Sequence, residues 1–152
     1  MIGSLKSMSF LEAFSKWEKL FACLKKTQTT SIEEQYEKHN VRAFDFHITF
    51  VSSYKRAVLK YGNINYNTFS MYEYFNFLNK KKDTYVRIVL EEKYPKDKLE
   101  NRFCEYCKII ETIYKDIKFF GGYREFDKKQ LYKFKNKEPE DLIFYERVDK
   151  LK

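Results

Sequence analysis

The sequence predicts an α/β fold built on a parallel sheet, and three observations lead there. Short apolar segments with strand character recur at 41–50, 84–92 and 117–122. Longer segments with helical spacing, 68–82 and 95–116, separate them. No internal repeat, low-complexity tract or interdomain linker interrupts the 152 residues. Strands that alternate with helices form right-handed βαβ units, and a chain of this length most simply makes one domain, 1–152, with a real core.

The elements follow in order. "FLEAFSKWEKLFACLKK" (10–26) places Phe10, Leu11, Phe14, Trp17, Leu20, Phe21 and Leu24 on one stripe, as an amphipathic helix does. "SIEEQYEKH" (31–39) carries Ser31 three residues before Glu34, the pattern that caps a helix start, and His39 suits the negative end of its dipole. "VRAFDFHITF" (41–50) is a strand with Phe44, Phe46, Ile48 and Phe50 on one face. "KRAVLKY" (55–61) is a short strand that "GNIN" (62–65) turns toward a further extended piece. "TFSMYEYFNFLNKKK" (68–82) is a helix by its Phe69, Tyr72, Phe75 and Leu78 spacing, and "TYVRIVLEE" (84–92) is a strand. "PKDKLENRFCEYCKIIETIYKD" (95–116) is a long helix with Pro95 in its first turn. "IKFFGG" (117–122) is a strand stopped by glycines, and residues 128–152 are expected as two short helices split near Pro139.

Composition narrows the class. Aromatic residues make 19% of the chain and apolar residues 43%, enough for a globular core. No apolar run approaches the roughly 20 residues of a membrane span, and residues 1–21 lack the pattern of a signal peptide. Three cysteines, odd and sparse, suit a reducing compartment, so the expected location is the cytoplasm or the inside of a virus particle. A formal charge of +8 favours phosphate-bearing or other anionic partners. The basic residues are scattered, which makes nucleic acid the lesser expectation.

The chemistry concentrates on one strand face. Asp45 and His47 share a parity opposite to the phenylalanines. They are a solvated or hydrogen-bonded structural pair, or they look into a site. In a parallel sheet such residues sit near the carboxyl ends of strands, where Glu91 also falls. Glu92 beside it competes for the inward position, and Arg87, on the parity of Glu91, reads as its ion-pair partner. "CEYC" (104–107) has a metal-like spacing but lies within a helix without a second ligand pair. There is no phosphate-cradling glycine loop and no nucleophile elbow.

Taken with their order and spacing, three stretches resemble the X domain of phosphatidylinositol-specific phospholipase C. "IGSLKSMSFL" (2–11) is similar to the family's opening Gly-Ser-His-Asn motif. "KTQTTSIEEQYEKHNVRAFDF" (26–46) and "VLKYGNINYNTFSMYEYFNFLNKKKDTYVRIVLEE" (58–92) resemble its next two conserved stretches. The resemblance implies a partial or complete TIM-type (β/α) barrel of the phospholipase C-like phosphodiesterase kind. It also implies a phosphodiester substrate such as phosphatidylinositol. The family's two acid–base histidines fall at Leu5 and Tyr61 here, so the implied chemistry is weakened or lost. Leucine accepts no proton, and tyrosine, with a pKa near ~10, is a poor base although it can still donate. The resemblance further gives Asp45 and Glu91 as ligands for calcium, a thin set for an ion that prefers six or more oxygens. His47 stands at an Asp or Arg position among the catalytic candidates, with Tyr61, and Lys6 and Arg87 are the candidates for substrate binding.

Length sets a final expectation. A complete barrel takes about 250 residues, so the sheet is expected to be open. Either the segment "EDLIFYERVDKL" folds back over it, or a second copy or an assembly partner covers it. A non-catalytic binding or structural module of a larger assembly is the alternative function.

Overall fold

The computed structural model describes residues 1–7, 31–62, 64–65, 71–94 and 96–151. The helix expected over 10–26, with Trp17 and Cys23, lies outside them, as does Pro95. The described elements are β1 (Ile2–Ser4), α1 (Ile32–Lys38), β2 (Val41–Val51), β3 (Arg56–Tyr61), β4 (Ile64–Asn65), α2 (Tyr72–Asn79), β5 (Thr84–Leu90), α3 (Asp97–Ile113), β6 (Ile117–Arg124) and β7 (Ile143–Tyr145), followed by a 3-10 turn at Val148–Lys150.

The fold is α/β with a mostly parallel sheet. β2 is its spine, pairing in parallel with β5 on one side and with β1 on the other. β5 passes the parallel pairing on to β6, and β1 passes it on to β7. The far half of β2 pairs antiparallel with β3, which folds into the short hairpin expected at 62–65.

Helices cover one face of this sheet. Phe46 meets Phe75 of α2 with ring centroids 5.4 Å apart, and Phe50 meets Tyr106 of α3 at 5.7 Å. Phe44, Phe46, Phe75, Phe103 and Phe119 are fully buried in this layer. Each such side chain contributes roughly 1.5–3 kcal/mol of apolar burial, which makes this packing the main driving term for the fold. The cap read from sequence is present: the Glu34 amide donates to Ser31 Oγ at 3.2 Å.

The other face is concave. Arg87 of β5 lies 4.2 Å from the ring centroid of Phe144 on β7, although β2 and β1 stand between those strands. Strands are about 4.8 Å apart, so this contact requires the sheet to curl. Gly3 permits it, because a Cβ there would sit 2.7 Å from the Phe144 side chain. Ala43, the register partner of Gly3, is the other small residue on that path.

Two expectations are corrected. Residues 128–142 form no helix, and 143–145 make a strand beside β1. The segment "EDLIFYERVDKL" therefore widens the sheet and sends Phe144 across its concave face; it does not lie over it as a helix. The glycines also do not stop β6. The ladder with β5 skips Gly122, a bulge after which the strand continues to Arg124.

Candidate functional site

The concave face gathers its polar side chains around Asp45, which is fully buried. Tight turning of residues 4–7 delivers the first contact. Ser7 Oγ donates to the Ser4 carbonyl at 2.7 Å and accepts the Asp45 amide at 2.6 Å, and the Ser7 amide donates to the Asp45 carbonyl at 3.1 Å. Gln35 Nε2 donates to the Ser7 carbonyl at 2.9 Å and so ties α1 to the turn. With Lys6 in a left-handed conformation (φ 49°), its amide donates to Asp45 Oδ2 at 2.9 Å. Lys6 was a candidate as a side chain; what reaches the cluster is its backbone.

Two cations complete the surroundings of Asp45. Arg87 Nε donates to Oδ1 at 2.8 Å, and His47 Nε2 lies 2.9 Å from both carboxylate oxygens. Arg87 is the register partner of Asp45 across the β2–β5 ladder, so their proximity follows from strand pairing. The ion pair expected between Arg87 and Glu91 gives way to this one. Glu91 instead takes the other side of the imidazole, its Oε1 3.2 Å from His47 Nδ1, and accepts the Gly62 amide at 2.7 Å. Glu92 accepts from Thr49 Oγ1 at 2.7 Å and from Lys60 Nζ at 3.0 Å, further along the same strand face, so of the two adjacent glutamates Glu91 is the one on the imidazole.

The electrostatics follow from this order. Burial alone disfavours the charged imidazole, but the Asp45 carboxylate, aided by Glu91, outweighs it and raises His47 to about 9. Burial likewise opposes ionisation of Asp45, and His47 with Arg87 reverses that, holding its carboxyl well below the usual range. Burial would lower Arg87 as well, yet Asp45 keeps it firmly protonated. Two carboxylates and two cations thus form a neutral, mutually hydrogen-bonded knot.

The arrangement limits the chemistry. Both ring nitrogens of His47 face carboxylates, and an imidazolium of raised pKa is not a base at neutral pH. Tyr61 Oη donates to the Asp45 carbonyl at 2.8 Å, and its ring lies against His47 with centroids 5.1 Å apart. Asp45 and Glu91 do not converge on a point where calcium would sit, because the imidazole stands between them and Arg87 already supplies positive charge. Among the described residues no group of three His, Cys, Asp or Glu side chains is placed to hold a metal ion. In "CEYC", Cys104 Sγ donates to the Leu131 carbonyl at 3.1 Å and Cys107 is buried.

Two members of this face were not visible in the sequence. The bulge at Gly122 sets Tyr123 opposite Val89 on the concave side, and Tyr123 and Glu125 lie close enough to Arg87 to interact electrostatically. A Gly-Gly pair inside an apolar strand is the signal that finds such a bulge. No helix among the described residues is long and apolar enough to cross a membrane. No protein-family model matches the chain, and neither a curated protein nor a solved structure matches it.

Proposed function

We propose that this chain is a diverged phosphatidylinositol-specific phospholipase C-like domain, of TIM-type barrel descent, whose phosphodiester cleavage is weak or lost and which works as a binding or structural module. The observation that carries the reading is His47 between Asp45 and Glu91, with both ring nitrogens engaged. A general base needs an open lone pair within reach of a hydroxyl, and the imidazole offers none. Tyr61, at one of the two histidine positions of the resemblance, directs its hydroxyl to a backbone carbonyl, and Leu5 has no titratable group. Arg87 supports the binding side: it engages Asp45 through Nε, and its Nη groups make no hydrogen bond among the described residues. They suit an anionic group brought to the strand ends.

The test is cleavage of phosphatidylinositol in mixed vesicles, followed by release of the water-soluble headgroup. No release above buffer is expected, since each lost acid–base group removes about 10²–10⁴-fold. Turnover within about tenfold of a relative with histidines at both positions would overturn the proposal.

A further inference from the structure

We propose that a slot along the outer edge of β6, which meets the face of the Asp45 cluster at Tyr123, binds a nucleoside monophosphate. The cavity holds about 400 Å³ and is lined by Phe120, Tyr123, Lys133, Phe134, Asn136 and Lys137, among others. That volume lies within the roughly 300–1,000 Å³ of small-ligand sites. Among the described residues β6 pairs with β5 on one side only, and the returning chain covers its upper end, where Leu131 and Tyr132 amides donate to the Gly122 carbonyl at 2.9 Å. Below that point the edge and the 133–138 segment leave the slot between them.

Its polar groups differ from those of the Asp45 cluster in one respect. Lys133 and Lys137 are exposed and make no ion pair among the described residues. The Tyr123 hydroxyl and the Asn136 carboxamide likewise make no hydrogen bond there. By contrast Lys128 and Lys129, on the same segment, are paired with Glu125 and Glu100. Unengaged donors on one slot are what an anion recruits. Glu138 at the rim leaves the slot with two lysines against one carboxylate, which suits one phosphate better than a polyphosphate.

The apolar side specifies the rest of the ligand. Of its lining residues Phe120 and Phe134 are nearly buried and Tyr123 is half-buried. An aromatic wall beside paired lysines favours a flat ring carrying a phosphate. Asn136 offers both a donor and an acceptor to the edge of a base. The shared chemistry is a nucleoside phosphate, either free or as a unit of a single strand.

Isothermal titration of the full chain with uridine 5′-monophosphate, uridine, inorganic phosphate and a ten-nucleotide oligothymidylate tests this. The monophosphate is expected to bind at least about tenfold more tightly than either uridine or phosphate alone. The exposed-site variant Lys133→Ala/Lys137→Ala should weaken it by at least about tenfold and leave the unfolding midpoint unchanged. Amide chemical-shift changes should fall on residues 120–138. Much tighter binding of the oligonucleotide identifies a single strand as the source; equal binding identifies the free nucleotide. No binding at millimolar ligand overturns the proposal. Binding that survives the double substitution, or shifts centred on Asp45 and Arg87, does so as well.

Discussion

His47 is an imidazole whose charge is an asset to the folded state, and that fixes how stability responds to pH. Its ordinary value of 6.5 rises to about 9 on folding because Asp45, helped by Glu91, outweighs burial. The folded protein therefore keeps a proton that the unfolded chain releases between about pH 6.5 and 9. Stability is fully present below that window and falls across it, by up to about 1.4 kcal/mol per pH unit. Asp45 works at the acid end, where burial is overcome by His47 and Arg87 and the carboxyl is held below its ordinary 3.8. Its contribution is present above about pH 4 and is lost as pH falls further. Urea denaturation should thus show a plateau from about pH 4 to 6.5. His47→Gln should flatten the alkaline limb, and an alkaline fall of unchanged slope in that variant would reject the assignment. Asp45→Asn leaves the buried His47 and the partly buried Arg87 without their carboxylate and should cost about 3–5 kcal/mol.

Two glycines of positive φ differ in what surrounds them. Gly122 (φ +74°) has no room: a Cβ there would fall 2.0 Å from the Tyr132 carbonyl oxygen, a backbone atom. Gly62 has a similar φ of +65°, but nothing lies within 4 Å of its Cβ position. Gly62→Ala should cost only the left-handed backbone term of about 1–2 kcal/mol, while Gly122→Ala must displace the 130–132 segment and cost more. Thermal unfolding of the pair checks this, and equal losses would mean that the bulge does not position the segment. The same elements show what a sequence discloses. β2, β5 and β6 were legible because strand alternation or apolar continuity runs over several residues, and Ser31 announced α1. β1 and β7, three residues each, are too short to show a period. At the C-terminus Leu142, Tyr145 and Val148 recur every third residue and mimic a helix, but pairing with β1 and burial of Val148 override that spacing. Within the site, strand parity revealed Asp45, His47 and Glu91. It misjudged the partner of Arg87, because register is set by pairing: Asp45 is the neighbour across the ladder, while Glu91 lies four residues, about 13 Å, along the strand.

Seen whole, the curled sheet covers part of its concave face with its own side chains, since Phe144 crosses to Arg87. Among the described residues, the outer strands β7 and β6 are poor templates for further pairing. β7 is only three residues long, and β6 carries Lys118 and the returning 130–132 segment. Light scattering should give the mass of one chain across a concentration range, and a concentration-dependent dimer would show that an edge is used. The position of β1 has a further result, for the order of folding. Ile2 pairs with Val41 on one side and with Ile143 on the other, so this strand waits for a partner from the opposite end of the described chain. Closing so long a loop is entropically slow, whereas β2, β5 and β6 are joined by shorter connections. On a ribosome β1 emerges well before β7 and remains without it until residues 143–145 have been made. In pulse-labelled refolding, amides of β5 and β6 should gain protection first, and Ser4, Leu5 and Tyr145 last.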